Sequence, residues 1–537
     1  MSTEIRAPRA QELLAGLTDL PWSDISPSVY ETGRLVSLAP WLTGHRERVA
    51  FLLGAQNPDG GWGQAADGYG LVPTLSAAEA LLNTLLNAPS SLAGVDRASV
   101  QGAVQRALGN LFATLRPGAV PPIPDLPAIE IIVPALVAAL NHALDRLPHT
   151  TVSGLDAWRG SGRLPLPPGM GDTLLSRIHS LLDAGYEVPN KLLHCLEAAG
   201  HKAAGAPGAR LTLPEGTVGA SPAATAAWLG AKEPADPDQA AVRYLESVVH
   251  QYGGPVPCAL PLDIFERAQV IATLSRTGLP LDVPDILRAA LTGLLGPSGA
   301  PGGRGLPPDS DSTSILLFAL SRLGAEPAVE CLWPYELPTH FSTYHGERNA
   351  SPSANGHILE VLATAGQHPV TTADQLRRYD QAGRKITSWL LEQQQDDGSW
   401  QDKWHASPLY PTQCCTLALA HTTGDPAVAR ALKRAVDWVL ATQRADGSWG
   451  RWSGTAEETA YALQILLLTG TRNPTDAAAQ AAARGHRFLR QRAGTVHDAL
   501  WHDKDLYAPR AIIEAAVLVS DHLASTHPAV LRAAARL

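Results

Sequence analysis

A short motif with the pattern QxxDG(S/G)W constrains the fold of this chain more than any other feature. It occurs three times, at residues 56–62, 394–400 and 443–449. Each copy follows a segment with helical periodicity and precedes another. The Asp-Gly pair predicts a tight turn, because glycine adopts a positive φ freely. Gln and Trp can tie such a turn to neighbouring helix ends, so we interpret Trp62, Trp400 and Trp449 as structural staples, not as substrate contacts.

The spacing of the motifs predicts the architecture. The second and third copies begin at residues 394 and 443, which leaves room for one pair of helices between them. Helix pairs repeated at this spacing close into α-barrels that present a cavity at one end. The other periodic segments, rich in Ala and Leu, also read as helices. We therefore predict an all-α protein, and 537 residues are enough for two or three domains.

Composition excludes several classes of function. The net charge of −9 is spread along the chain, without the basic blocks that nucleic-acid binding requires. The five cysteines show no CxxC spacing, which favours buried free thiols over disulfides or zinc. Residues 1–10 are polar and form no signal-peptide core, and no apolar run reaches transmembrane length. We expect a cytoplasmic protein without a transmembrane segment; a monotopic membrane contact stays open.

The segment 309–313, Asp-Ser-Asp-Ser-Thr, carries the clearest chemical signal. It lies between a Gly/Pro-rich run and an apolar helical segment. Of two carboxyls placed so closely in a dry pocket, one can stay ionised while the other keeps its proton and becomes a strong acid. Such an acid can protonate a carbon–carbon double bond. The alternative is that Asp309 or Ser312 only caps the helix.

Together, the three motifs and the Asp-x-Asp segment resemble the class II terpene cyclases, which include squalene–hopene cyclases and copalyl diphosphate synthases. Further blocks resemble the members that retain a diphosphate, and they occur in the order of that family. These blocks are SPSVYET at 26–32, PAIEIIVP at 127–134, LLHCLE at 192–197, SPAATA at 221–226, LPLDIFER at 260–267, DKWHASP at 402–408 and EETAY at 457–461.

The resemblance implies a didomain of two (α/α) barrels, called γ and β. Residues 1–25 would form the first helix of the β domain, residues 26–240 the inserted γ domain, and residues 241–537 the rest of the β domain with the acid motif. The third, α domain of bifunctional plant relatives, which ionises the diphosphate, is expected to be absent, since no DDxxD motif is found. The product should therefore keep its diphosphate.

The resemblance also implies an isomerase-type enzyme and roles for the acid segment. Asp311 occupies the position of the proton donor, and Asp309 and residue 312 would polarise and orient it. The family pattern has Asp at the last of these positions, where this chain has Ser312, which cannot carry a charge. His194 matches a histidine that takes part in the final deprotonation in some plant relatives. A satisfied core histidine is the alternative.

Substrate binding is expected to use aromatic faces for the cation and basic groups for the diphosphate. Magnesium would bridge the phosphates and an acidic group, although residues 110–122, upstream of the acidic block, contain no carboxylate. The candidates are Trp333, Tyr335, Tyr344, Trp404 and Tyr410 for the cation, Lys403 and Arg348 for the diphosphate, and Glu130 and Asp125 for Mg²⁺.

The implied reaction is the protonation-initiated cyclisation of a linear isoprenyl diphosphate to a bicyclic diphosphate. Geranylgeranyl diphosphate would give a copalyl-type product and farnesyl diphosphate a drimenyl-type product. The protein is expected to act as a monomer or homodimer, with the isoprenyl diphosphate as its partner. Two alternatives stay open: a hydrocarbon cyclase of the squalene–hopene type, and a catalytically idle α-barrel that binds isoprenoids.

Overall fold

The computed structural model describes residues 3–19, 22–87, 94–150, 152, 154–326, 328–469, 475–492 and 494–536. Helices dominate these residues. The α-helices are α1 Thr3–Asp19, α2 Val29–Leu38, α3 His45–Gly54, α4 Leu71–Asn87, α5 Arg97–Thr114, α6 Ile129–Arg146, α7 Thr173–Asp183, α8 Asn190–Leu193, α9 Pro222–Leu229, α10 Ala240–Tyr252, α11 Asp263–Leu274, α12 Asp285–Thr292, α13 Ser310–Arg322, α14 Pro352–Gly366, α15 Ala373–Gln393, α16 Leu409–Leu419, α17 Pro426–Ala441, α18 Ala456–Leu468, α19 Asp476–Gln491, α20 Arg510–Thr526 and α21 Pro528–Ala534.

Helices of the C-terminal half form a closed ring. In order around it, α11, α13, α14, α16, α18 and α20 each pack against the next, and α20 packs against α11. These inner helices are buried on almost all sides, as their small and apolar residues require. Helices α12, α15, α17 and α19 pack around them and bury only one face. The predicted α-barrel is confirmed.

A second ring occupies the N-terminal half. It runs through α2, α4, α6, the 3₁₀ helix Leu196–Ala203 and α9, which packs back on α2. Each ring encloses its own hydrophobic core, and residues of α2 and α9 contribute to both cores. The all-α prediction with two barrels agrees with this arrangement, while the domain boundaries at residues 25 and 240 stay a prediction.

The three QxxDG(S/G)W motifs form turns that are tied to the helices around them. Trp62, Trp400 and Trp449 are fully buried. Each indole Nε1 donates to the carbonyl oxygen ten residues earlier, at 2.6 Å, 2.8 Å and 2.6 Å respectively. The glutamine of each motif donates to one carbonyl of its own turn and one of a neighbouring helix, at 2.8–2.9 Å. The interpretation of these residues as staples is confirmed.

A short hairpin brings the two halves together. Strands β1 (Trp501–His502) and β2 (Leu506–Tyr507) pair antiparallel, with the charged residues 503–505 at the turn. Asp505 accepts hydrogen bonds from the Ser28 hydroxyl at 3.0 Å and the Tyr30 amide at 3.2 Å, at the start of α2. The hairpin therefore places residues of the C-terminal half beside the N-terminal ring.

Two expectations from composition concern the interior. All five cysteines are buried and free, as predicted. Among the helices that the structure describes, only the stretch Ile129–His149 is long and apolar enough to cross a membrane, and 61% of its apolar window is buried inside the protein. That degree of burial is typical of a core helix.

Candidate active site

A cavity of about 490 Å³ lies where the two halves meet. The C-terminal half contributes α11, the start of α13, the loop before α14 and the hairpin, and the N-terminal half contributes α8 and the segment 125–130. Its apolar and aromatic wall includes Leu262, Phe265, Leu306, Tyr344, Trp404, Trp501 and Tyr507, and its polar groups include Asp125, Glu130, Lys191, His194, Asp309, Asp311, Ser312, Glu347, Arg348, Lys403, His502 and Asp503.

Asp309 is the N-cap of α13. Its backbone is extended, with φ −141° and ψ 158°, and its Oδ1 accepts a hydrogen bond from the Ser312 amide at 2.7 Å. Burial and then the nearby charge of Asp311 raise the pKa of Asp309 to about 7. The capping alternative is thus correct for Asp309, and the same carboxyl holds a proton at pH values below about 7.

Asp311 lies in the first turn of α13 and lines the cavity. Its Oδ1 is 2.7 Å from Nδ1 of His357 on α14. No described protein group is hydrogen-bonded to its other oxygen, Oδ2. With one oxygen held by the imidazole, the carboxyl has a fixed orientation and a second oxygen free for chemistry.

Ser312 supports Asp309 in place of a third carboxyl. Its hydroxyl hydrogen-bonds Asp309, which lowers the pKa of that residue and partly offsets burial. Tyr344 also approaches, with its hydroxyl 3.4 Å from Asp309 Oδ2. A serine at this position therefore preserves a hydrogen bond to the acid pair while adding no charge.

Two of the five predicted aromatic residues line the cavity, and three do not. Tyr344 and Trp404 line the cavity, as predicted, with their rings 6.2 Å apart in an edge-on arrangement. Phe265, Trp501 and Tyr507 line it as well and were not predicted.

The other three candidates lie outside the cavity lining, which corrects the prediction for them. Trp333 packs beside Tyr379 and beneath the guanidinium of Arg378. Tyr335 donates its hydroxyl to Ser298 O at 2.9 Å. Tyr410 is buried, with its ring centroid 4.7 Å from that of Trp501, and it is not among the residues that line the cavity. Sequence position alone could not distinguish lining rings from rings one layer behind them.

Basic side chains gather at the cavity mouth. Lys403 forms an ion pair with Glu347 and donates to Asn349 O at 2.7 Å. Lys191, which was not predicted, hydrogen-bonds His345 O and lines the same mouth. Burial, together with the charge of Lys403, lowers the pKa of Lys191 although Glu347 opposes this. Two ammonium groups so close together favour an anionic ligand.

The predicted acidic pair also reaches this mouth. Glu130 forms an ion pair with Arg348, whose side chain is 77% exposed. Asp125 accepts a hydrogen bond from Asn349 Nδ2 at 2.6 Å. Within the described ranges, no three His, Cys, Asp or Glu side chains are grouped closely enough to hold a metal ion. A metal ion at this mouth would therefore need further ligands from the substrate.

His194 lines the cavity and is hydrogen-bonded through both ring nitrogens. Nδ1 is 2.6 Å from Gly219 O, and Nε2 is 3.0 Å and 3.1 Å from the two carboxylate oxygens of Asp503 in the hairpin. His194 is therefore not an isolated core histidine but half of a buried ion pair in the cavity wall.

The residues that sequence reasoning missed share one property. His357, Asp503 and Lys191 meet the predicted residues only through tertiary contacts, and the His194–Asp503 pair joins residues 309 positions apart. The segment 501–507, Trp-His-Asp-Lys-Asp-Leu-Tyr, did carry a signal: consecutive charges flanked by aromatic residues on both sides. Such a run indicates charges that are buried and paired.

Comparisons with known proteins agree with this site. A family model described as the squalene–hopene cyclase C-terminal domain matches residues 349–510. The chain is 44% identical, over 95% of its length and 94% of the relative's, to an ent-copalyl diphosphate synthase of Streptomyces sp. (strain KO-3988). It is 39% identical, over 95% and 91%, to a labda-7,13-dienyl diphosphate synthase of Streptomyces clavuligerus.

A solved structure extends the agreement to three dimensions. The ent-copalyl diphosphate synthase from Streptomyces platensis superimposes with a TM-score of 0.90 at 44% identity, covering 96% of this chain and 99% of that one. Sequence, fold and the buried carboxyl pair therefore all point to the same family. The chain belongs to the class II terpene cyclases and is an enzyme of that family.

Proposed function

We propose that this enzyme cyclises geranylgeranyl diphosphate to a bicyclic, copalyl-type diphosphate that keeps its diphosphate group. The observation that carries the proposal is the buried carboxyl pair Asp309 and Asp311 at the wall of an aromatic cavity whose mouth is basic. The similar Streptomyces proteins are copalyl and labda-7,13-dienyl diphosphate synthases, which favours a C20 substrate over a C15 one.

Asp311 is proposed to start the reaction. In the reacting form, its Oδ2 carries the proton of the acid pair and gives it to the terminal double bond, while its Oδ1 stays bonded to His357. The pi electrons of that bond form the new C–H bond and leave a tertiary cation, which the next double bonds attack in turn. Asp309, which accepts a hydrogen bond from the Ser312 amide at the start of α13, has a pKa raised to about 7 and so keeps a proton available to the pair at neutral pH.

The cavity wall supports this chemistry in two ways. The faces of Phe265, Tyr344, Trp404, Trp501 and Tyr507 present negative quadrupole potential to a cation. The same rings displace water, which would otherwise capture the cation early. Holding the chain prefolded against this wall also removes much of the entropic barrier to ring closure.

The diphosphate is proposed to bind at the mouth through Lys403, Arg348 and Lys191. Each has a protein partner in the structure: Glu347, Glu130 and the carbonyl of His345. A diphosphate carries more charge and more acceptor oxygens than these partners, so it can recruit all three cations at once. This placement directs the isoprenoid tail inwards to Asp311.

Magnesium is proposed to accompany the diphosphate. The donors fit such an ion, because Glu130 and Asp125 offer hard oxygen ligands at the basic mouth, and Mg²⁺ commonly takes one or two carboxylates plus substrate phosphates and water. When bound, the ion would supply neutralisation of phosphate charge. Replacing Glu130 by Gln should raise the Mg²⁺ concentration needed for half-maximal turnover, whereas an unchanged requirement would place the ion on the diphosphate alone.

The test of the proposed function is a product assay. The enzyme is incubated with geranylgeranyl or farnesyl diphosphate and Mg²⁺, treated with phosphatase, and the alcohols are identified by mass spectrometry and NMR. A bicyclic C20 alcohol is expected. Only linear alcohols from both substrates would reject the cyclase function, and cyclisation confined to the C15 substrate would reject the chain-length assignment.

A further inference from the structure

The proposed cyclisation ends when a base removes a proton from the bicyclic cation, and the hydrogen bonds of His194 determine whether it can be that base. A carbonyl oxygen only accepts hydrogen bonds, so Nδ1, at 2.6 Å from Gly219 O, must carry a hydrogen. Nε2 faces both oxygens of Asp503 at 3.0 Å and 3.1 Å. One proton is shared there between the imidazole and the carboxylate.

That shared proton belongs to the imidazole. Burial opposes a charged His194, but the carboxylate of Asp503 outweighs it and raises the pKa of His194. Burial also opposes a charged Asp503, but His194 and Lys504 lower the pKa of Asp503 to about 2. The pair is an imidazolium beside a carboxylate at neutral pH. An imidazolium has no lone pair left, so His194 cannot accept a further proton.

The second histidine of the cavity wall is also occupied. Nδ1 of His502 is 2.8 Å from Lys403 O and therefore carries its hydrogen. Nε2 is 2.8 Å from the Tyr69 hydroxyl, which donates to its lone pair. Burial lowers the pKa of His502 to about 3, in keeping with a neutral ring. His502 has no free acceptor towards the cavity.

The remaining carboxylates of the lining have other tasks. Glu347 and Glu130 are paired with Lys403 and Arg348 at the mouth, where Asp125 also accepts a hydrogen bond from Asn349. The acid pair of α13 holds the initiating proton. Asp503 is thus the anionic group of the described lining that is neither at the mouth nor part of the acid. Its charge and that of Asp311 both raise the pKa of Tyr344, after the larger effects of burial and Asp309, so Tyr344 lies within range of both.

We propose that Asp503, not His194, is the terminal base of the reaction. This inference rests on the proposed function. A C–H bond next to the cationic carbon breaks, its electron pair becomes the new double bond, and the proton goes to a carboxylate oxygen of Asp503. His194 stays protonated and is a positioning residue that holds the carboxylate against the cavity. After the product leaves, Asp503 releases its proton to water.

A weak base is sufficient for this step. A C–H bond beside a carbocation is so acidic that the position of the acceptor, more than its basicity, decides which proton is removed. An ion-paired carboxylate is suited to the task, because its negative charge also attracts the cation and its orientation is fixed by two contacts to one imidazolium.

The experiment compares Asp503→Asn, Asp503→Glu and His194→Gln in the product assay. Asp503→Asn should lower formation of the native alkene by roughly 10²-fold and yield water-captured or rearranged alcohols in its place. Asp503→Glu, which keeps a carboxylate, should recover part of the native alkene. His194→Gln keeps the carboxylate but removes the contacts that orient it, so it should slow turnover and broaden the double-bond positions, with less loss of the native alkene than Asp503→Asn causes. Native product from Asp503→Asn at the wild-type rate, or a greater loss of the native alkene from His194→Gln than from Asp503→Asn, would overturn the proposal.

A matched control and an independent measurement complete the test. His486 and Asp521 form another His–Asp pair, 2.8 Å apart and outside the cavity lining, so Asp521→Asn should leave rate and product unchanged. If Asp503→Asn does not fold, ¹⁵N NMR of the histidine rings in the wild type decides the matter, since His194 must be an imidazolium at pH 7. A neutral ring would contradict the assignment. Wild-type enzyme that releases only linear alcohols would instead reject the proposed function itself.

Discussion

At the residue scale, two opposing effects act on the carboxyls at the start of α13. The helix N-terminus favours negative charge, whereas burial disfavours it. Asp309 accepts a hydrogen bond from the Ser312 amide at the start of α13. Burial, together with the charge of Asp311, raises the pKa of Asp309 to about 7. Asp311 is held by His357 and keeps one oxygen towards the cavity. Asp309 therefore anchors the pair at the helix start, and Asp311 is the residue that we propose delivers the proton.

Replacing the delivering carboxyl should stop the reaction. Asp311→Asn keeps the size and the contact to His357 but removes the acidic proton, so turnover of the C20 substrate should fall by about 10³-fold or more. Mass spectrometry of the dephosphorylated products measures this. Asp437→Asn, at an exposed carboxylate on α17, is the control and should behave as wild type. Turnover by Asp311→Asn within a few fold of wild type would refute the assignment.

The rate should also depend on pH with a definite sign. The active form of the acid pair holds a proton, and burial with the charge of Asp311 raises the pKa of Asp309 to about 7. The pair loses that proton as the pH rises, so kcat should fall above about pH 7. A kcat profile from pH 5.5 to 9, with circular dichroism to check folding, tests this; a flat profile would contradict it.

A variant at Ser312 checks which groups cause the fall in kcat above about pH 7, the alkaline limb of the profile. Ser312→Asp adds a like charge beside the pair, and like charges disfavour the ionised form. The alkaline limb should therefore move to higher pH. A limb that stays in place, or moves to lower pH, would show that the carboxyls of α13 do not control the pH dependence.

At the element scale, the repeated turn is what joins each outer helix to an inner one. Motif and helical periodicity were enough to predict the helices and the staples, because Asp-Gly turns and indole hydrogen bonds are local. The order of the helices in the inner ring could not be predicted from the sequence, because it depends on which apolar helix faces pack together between residues far apart in the chain. For the same reason, the sequence could not show that Tyr410 packs against Trp501 and is not part of the cavity lining.

The glycine of the turn gives a prediction at this scale. Gly398 has φ +101°, and a Cβ there would lie 2.5 Å from Arg434 O on α17. Gly398→Ala should lower the melting temperature more than Gly424→Ala, where φ is +85° but the space is open. The positive φ costs about 1–2 kcal/mol in both variants, and only Gly398→Ala adds a clash. Equal melting temperatures would show that the turn can shift away from α17.

At the scale of the whole molecule, Lys504 connects the two halves. Its ammonium is 2.9 Å from Glu31 and 3.0 Å from Glu197, and all three side chains are fully buried. It also donates to His194 O at 3.0 Å and to Ser221 at 2.8 Å. Three of the blocks that resemble the family, at 26–32, 192–197 and 221–226, therefore meet at one buried charge cluster.

Removing this ammonium should destabilise the protein in a pH-dependent way. Lys504→Met leaves Glu31 and Glu197 buried without a counterion, which costs about 3–5 kcal/mol. Burial raises the folded-state pKa of Glu31 to about 7, so its proton favours the folded state at lower pH, and that contribution is lost as the pH rises through 7. The loss in melting temperature should thus be larger at pH 8 than at pH 6.

Thermal unfolding of the variant at both pH values checks this expectation. Lys433→Met, which removes an exposed partner of Asp437, is the control and should shift the melting temperature little at either pH. A loss for Lys504→Met that is the same at pH 6 and pH 8 would show that the carboxyls of the cluster do not titrate in this range.

The candidate site was predictable in part. Asp309, Asp311, Lys403 and Trp404 lie in short blocks whose chemistry is visible in the sequence, and the cavity contains them all. The sequence did not reveal His357, Asp503 and Lys504 as site residues. A buried charged side chain can be assigned a role only when its partner is known, and these partners are distant in the chain. The proposed acid, Asp311, follows from the resemblance, whereas the proposed terminal base, Asp503, rests on the hydrogen bonds of both ring nitrogens of His194.

The hairpin at 501–507 has a consequence for biosynthesis. Translation runs from the N-terminus, so α13 leaves the ribosome well before the hairpin does. A nascent chain that has emerged only as far as α19 contains Asp309 and Asp311. It lacks the hairpin, which contributes Trp501, Asp503 and Tyr507 to the cavity wall. The complete site therefore forms only after the hairpin has emerged, and a nascent chain without the hairpin is expected to be unable to convert the isoprenoid pool around it.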